Sequence, residues 1–172
     1  QGDGGGAGEI GHVVIGEDGL LCRCGKTGCL ETIASSRAVL QRAKTLAPEY
    51  SSSKLTNALQ DITLESIKSA FIQNDPLARR IVTEAGKAMG ISLANLIGVL
   101  NIKKIVLTGD MTLFGEPWLQ TIREAMSGGA LTRIAQDTQI EIGQLGFRGC
   151  ILGASAFMLL EDYSLLYSHF ED

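Results

Sequence analysis

Aromatic residues are scarce in this chain of 172, at 5%, and proline occurs three times. So low an aromatic content sets it apart from the aromatic-rich β-sandwiches. Long apolar runs are missing too. The longest uncharged stretches, residues 88–102 and 149–160, fall short of the roughly 20 residues that a membrane span needs. Basic residues are in deficit, 15 Lys and Arg against 19 Asp and Glu for a net charge of −4. No basic stripe is left to neutralise phosphates, so this chain alone does not read as a nucleic-acid binder. The opening residues lack the pattern of a signal peptide, and an acidic chain of this kind is expected in the cytoplasm.

What is present is enough for a core: 45% hydrophobic and 20% charged residues exclude disorder. The 21 glycines point to tight loops and closely packed elements. Residues 1–8 form a glycine-rich loop, and such a loop ordinarily joins two elements. The expectation is therefore one lobe of a larger protein whose preceding parts lie upstream.

Ile10, Val13, Val14 and Ile15, flanked by glycines, predict a short strand over 10–15. Helical spacing of Leu30, Ile33, Ala34, Leu40, Ala43 and Leu46 predicts one helix over 30–47. The serine-rich stretch 48–63 reads as a surface connection. Thr63 is placed to cap the next helix, and Asp75-Pro76 opens a long one. That long helix carries Leu77, Ile81, Ala85, Met89, Leu93, Ile97 and Leu100 on one face, with Gly86, Gly90, Ala94 and Gly98 as narrow places. Arg79-Arg80 reads as its exposed face. Residues 104–108 predict a buried strand, Glu116-Pro117 opens a helix to about 126, and a short strand and a final helix follow at 140–142 and 147–167. Strands alternating with helices make the fold class α/β.

Three of the four cysteines fall within eight residues, Cys22, Cys24 and Cys29, and His12 stands ten positions earlier. Three thiolates and an imidazole make the Cys₃His set of a closed, structural zinc site; Gly25 and Gly28 would let the loop turn tightly around the ion. A disulfide or free thiols are the alternatives, disfavoured by the strain of a Cys-x-Cys bridge and by a reducing compartment. Cys150, in an apolar segment, reads as a small buried hydrophobe, and His169 as a solvated residue.

The run Gly8-Glu9-Ile10-Gly11-His12, followed by Cys22-x-Cys24-Gly25-x-x-Gly28-Cys29-Leu30-Glu31 and Ser35, resembles the signature of the ROK family of bacterial sugar kinases and sugar-responsive repressors. The resemblance implies an actin-like, sugar-kinase (ribonuclease H-like) fold, of which this chain would be the C-terminal lobe with a zinc-stapled loop. It also implies that Glu9, His12 and Glu31 contact sugar hydroxyls and that His12, Cys22, Cys24 and Cys29 hold zinc.

A kinase of this family needs an upstream phosphate loop, an Asp base, and a glycine run after the strand at 104–108; ATP and Mg²⁺ would then be its cofactors. Here the run reads Gly109-Asp110, and a carboxylate beside anionic phosphates is unfavourable. The resemblance therefore implies the repressor branch, of the xylose or N-acetylglucosamine kind, with Gly109 and Asp110 as a vestigial nucleotide turn. Operator DNA would be bound only through an N-terminal helix-turn-helix outside this chain. An ATP-dependent sugar kinase is the alternative, and a zinc-stapled oligomerisation domain a third. No catalytic residue is expected within the 172 residues. The apolar surfaces of the helices at 75–101 and 147–167 predict a symmetric homodimer.

Overall fold

A computed structural model describes residues 3, 4, 6–16, 20–146 and 148–161. Its backbone runs from a glycine-rich loop into a 3-10 turn at Ile10–His12, then helices α1 (Glu31–Ala34), α2 (Ser36–Leu46), α3 (Leu64–Ile72) and α4 (Pro76–Leu100). Strand β1 (Lys104–Leu107), helices α5 (Gly115–Gly129) and α6 (Thr132–Asp137), strand β2 (Gln139–Ile142) and helix α7 (Arg148–Glu161) complete it. Helices dominate, and the described sheet is one parallel pair, β1 with β2, joined by the α5–α6 crossover.

α4 is the axis of the core. Asp75 caps it by accepting from Leu77 N and Ala78 N at 3.0 and 3.1 Å, and Pro76 takes the first helical position, where no N–H is needed. Leu77, Ile81, Ala85, Leu93 and Ile97 are buried as their spacing predicts, but Leu100 is exposed at the helix end. α5 crosses α4 at its narrow places. A Cβ at Gly90 would stand 2.5 Å from the Ile122 carbonyl oxygen, so the two backbones meet there. Trp118, Leu119, Ile122 and Met126 of α5 fill the same interface.

Four expectations need correction. Residues 10–15 are not a strand: the glycines around Ile10 allow a 3-10 turn, and beyond it Val14 makes one isolated antiparallel bridge to Cys29. The helix expected over 30–47 breaks at Ser35, whose extended backbone and side chain, accepting from Ala38 N at 3.1 Å, start α2 afresh. The stretch 48–63 is no loose surface connection. A 3-10 helix at Lys54–Asp61 lies within it, and Ser53, Leu55 and Ile62 are buried because Asp75 reaches back to hold Ser53.

β1 is half-buried rather than buried. Ile105 and Leu107 pair in register with Ile140 and Ile142 on the core side, whereas Val106 faces outward. Helix α6 carries no sequence signature, because its six residues offer too short a pattern for periodicity to detect. The expected burial of Cys150, the position of His169 and the end of the last helix lie outside what is described.

Candidate functional site

The glycine-rich loop reaches the 3-10 turn through Gly8, whose φ of +96° suits glycine. In that turn Val13 N donates to Ile10 O at 3.1 Å, which brings the His12 side chain round toward the cysteine loop. The chain then pairs with the segment leading into α1: Leu30 N donates to Val13 O and Ile15 N to Gly28 O, each at 2.9 Å. Position 28 admits only glycine. Its φ is +73°, and a Cβ there would lie 1.8 Å from the Gly16 carbonyl oxygen.

Between these paired segments the chain makes a knuckle. Cys22 N donates to Lys26 O at 2.8 Å, Gly25 N donates to Cys22 O at 2.9 Å, and Gly25 takes a φ of +86°. Cys22 and Cys29 are buried and Cys24 is exposed at the tip. Four donor atoms from His12, Cys22, Cys24 and Cys29 lie within 4.8 Å of one another, a cluster able to hold a metal ion. Cys22 Sγ stands 3.4 Å from His12 Nδ1, and Cys24 Sγ stands 3.6 Å from Cys29 Sγ. Burial pushes the Cys29 thiol up to about 12, while the Lys26 backbone N–H lowers Cys24.

The imidazole divides its two nitrogens. Nδ1 faces the thiols, and Nε2 faces Glu9 Oε2 at 3.7 Å. Glu31, in the first turn of α1, sits beneath Gly11: a Cβ at Gly11 would touch Glu31 Cβ and Oε2 at 3.6 Å. The structure thus gathers Glu9, His12 and Glu31 around one short turn. Glu31 also lines a cavity of about 230 Å³ together with Thr32, Ser35 and Arg37.

Two side chains that the sequence did not single out belong to this region. Arg23 Nη2 donates to Glu31 Oε2 at 3.2 Å, and Ser36 Oγ donates to Asp110 Oδ2 at 3.0 Å. No local pattern marks either one, because the partners lie 8 and 74 residues away. Gly109, with φ +97°, turns the chain after β1, and Asp110 opens the 3-10 turn that follows at the surface.

A family model for the ROK family matches residues 1–161. The chain belongs to the ROK family. It is 33% identical over 163 residues to the glucokinase of Halalkalibacterium halodurans, covering 92% of this chain and 49% of that protein. It is 30% identical over 161 residues to the xylose repressor of Caldicellulosiruptor bescii, covering 92% of this chain and 40% of that protein. Among solved structures, the ROK glucokinase of Streptomyces griseus in complex with glucose and AMPPNP superposes with a TM-score of 0.70 at 29% identity. That match covers 88% of this chain and 51% of the glucokinase. The chain thus spans about half the length of the ROK kinases it matches, or less of the repressor, and shares their sugar-kinase fold. No helix among the described residues is long and apolar enough to cross a membrane.

Proposed function

We propose that this chain is the C-terminal, sugar-sensing part of a ROK transcriptional regulator, binding a sugar through Glu9, His12 and Glu31 beside a structural zinc. One observation carries the choice of regulator over kinase. The exposed Asp110 carboxylate follows Gly109 at the turn after β1, where a nucleotide-binding member would bring phosphates close to backbone. Held by Ser36 Oγ, that carboxylate adds negative charge where anions would dock. Gly109 and Asp110 are then the remnant of a nucleotide turn.

The donor set suits zinc. A regular tetrahedron with Zn–S bonds of about 2.3 Å has S···S edges of about 3.8 Å and S···N edges of about 3.6 Å. The Cys24–Cys29 and Cys22–His12 approaches of 3.6 and 3.4 Å come close to both. Bound by His12, Cys22, Cys24 and Cys29, the ion would cross-link the knuckle to the turn and occupy His12 Nδ1. The protein then does the recognition. With Nδ1 engaged, His12 presents Nε2–H outward beside the Glu9 carboxylate, a donor and an acceptor side by side. Glu31 supplies a second acceptor, and the Arg23 guanidinium orients it. Neighbouring hydroxyls of a sugar match this alternation, and an epimer would leave a polar group unpaired.

In this reading the protein acts in the cytoplasm as a homodimer. The apolar surface at Ile91, Val99 and Leu100 of α4 and at Ile151, Phe157 and Met158 of α7 supports the dimer. Operator DNA is bound through a domain outside this chain, and sugar binding biases the arrangement that holds it.

The second reading, an ATP-dependent sugar kinase using Mg²⁺, is favoured by the 33% identity to a glucokinase. It uses the same sugar-facing residues and needs a base outside this chain. The test is the full-length protein titrated with glucose, xylose and N-acetylglucosamine by calorimetry while ADP release is followed in parallel. Saturable sugar binding without sugar-dependent ADP release is expected. Turnover in the kinase range of roughly 1–100 per second would establish the kinase instead.

A further inference from the structure

We propose that Cys24 and Cys29 are a peroxide-oxidisable pair whose disulfide dismantles the metal centre and frees His12. The inference rests on the reading of the cluster as a metal site, and it adds a modification to that site.

Three thiols share the knuckle, but they are not equivalent. Cys24 is exposed at its tip, where hydrogen peroxide can reach the sulfur; Cys22 and Cys29 are buried. Once Cys24 is oxidised, the partner thiol must come from within the cluster. Cys29 Sγ stands 3.6 Å from Cys24 Sγ. A disulfide needs about 2.05 Å, so the sulfurs must close by about 1.5 Å. The moving side is the one that can move. Gly25, next to Cys24, has open space around it, with nothing within 4 Å of an added Cβ. Cys29 is pinned between the Val14 bridge and the start of α1.

Cys22 is the poorer partner. Its sulfur is engaged by His12 Nδ1 at 3.4 Å, and a bridge between cysteines one residue apart closes a small, strained ring.

The chemistry balances with peroxide as the oxidant. The Cys24 sulfur attacks one peroxide oxygen and the O–O bond breaks, giving a sulfenic acid and one water. The Cys29 sulfur then attacks the Cys24 sulfur, the S–S bond forms, and the hydroxyl leaves as a second water. Two thiols lose two electrons and two protons in all, and one peroxide becomes two waters. The consequence is local. Only His12 and Cys22 remain as donors, too few to close a tetrahedral site, and Nδ1 of His12 is no longer occupied. The N–H that faces Glu9 then loses its fixed tautomer.

Trypsin makes the test clean, because cleavage after Arg23, Lys26, Arg37 and Arg148 puts each of the four cysteines in a separate peptide. The full chain is analysed for metal, treated with excess hydrogen peroxide in the presence of a chromogenic chelator, blocked with an alkylating agent, denatured and digested. The expected map joins peptide 24–26 to peptide 27–37, with one equivalent of metal released per chain and both changes reversed by dithiothreitol and added zinc. A Cys150→Ser variant should behave identically. A bridge that contains Cys22, or irreversible oxidation of Cys24 with no bridge, would overturn the pairing. Metal retained after the bridge has formed would overturn its consequence. Protein that is metal-free before treatment would refute the metal reading, while the peptide map still decides the pairing.

Discussion

The buried carboxylate of Asp75 accepts a hydrogen bond from Ser53 Oγ at 2.9 Å, 22 residues back along the chain. Its other oxygen accepts from Lys54 N at 2.8 Å, and the first oxygen also caps α4. One side chain thus ends a connection and starts the central helix. Burial pushes this carboxyl up, but the N–H groups of Ala78 and Lys54, the Ser53 hydroxyl and Leu77 N together hold it below the usual carboxylate range. Asp75→Ala should destabilise the protein by about 2 kcal/mol, from the lost cap and the orphaned donors, and Ser53→Ala by less. Urea denaturation checks both.

The sign of the pH effect follows from that depressed value. The stabilisation is complete above the ordinary carboxylate pKa of about 3.9 and is lost as pH falls through the lower folded value. The stability difference between wild type and Asp75→Asn should therefore shrink below about pH 4. A difference that stays constant from pH 7 to pH 3 would show that the carboxylate charge contributes nothing.

Two glycines of α4 should respond in opposite senses. Gly90→Ala drives a methyl against Ile122 O at 2.5 Å and Ala125 Cβ at 2.6 Å. It should cost about 2 kcal/mol, in the range for overpacking a core. Gly98 has nothing within 4 Å of an added Cβ, so Gly98→Ala should stabilise by about 0.5–1 kcal/mol through helix propensity. Thermal melts of the two variants beside wild type decide the matter.

The knuckle glycines separate space from strain. Gly28→Ala meets the Gly16 carbonyl at 1.8 Å as well as a positive φ, whereas Gly25→Ala faces only the unfavourable φ. Gly28→Ala should lose most of its bound metal and Gly25→Ala a smaller part. Elemental analysis of freshly purified protein distinguishes them. Equal metal content in both would contradict the close approach of residues 16 and 28.

Among the ligands, Cys29→Ser should lower metal content and melting temperature more than Cys24→Ser, because Cys29 is buried beside the core and Cys24 is exposed. Thiol ligands must give up their protons, so acidification should release the metal, and a chelator should lower the melting temperature of wild type. A melt unmoved by chelation would separate the ion from the stability of the fold.

Glu31→Gln should weaken sugar affinity by about tenfold to a hundredfold, the loss expected of a charge-assisted hydrogen bond. It should leave the melting temperature nearly unchanged, since Glu31 is partly exposed and its ion pair with Arg23 is a surface one. Calorimetry read beside a thermal melt shows whether the two effects come apart.

Local chemistry was enough to foresee several parts of this protein. The Asp75-Pro76 start of α4, the Thr63 cap of α3, the small-residue crossing at Gly90 and the cluster of His12 with three cysteines all depend on neighbours in sequence or on helical period. The ROK family could be read from the same short motifs. The tertiary structure decided what depends on distant partners. Residues 10–12 became a turn, and Val13 and Ile15 pair with Leu30 and Gly28 across the knuckle rather than with a neighbouring strand. The stretch before Thr63 was drawn inward by a carboxylate from the next helix. Arg23 met Glu31, and Ser36 met Asp110, only when the chain had closed on itself. Hydrophobic period and capping chemistry act within a turn or two of backbone and so are written locally. A hydrogen bond between residues 36 and 110 exists only after packing has brought them together, and no local pattern encodes it.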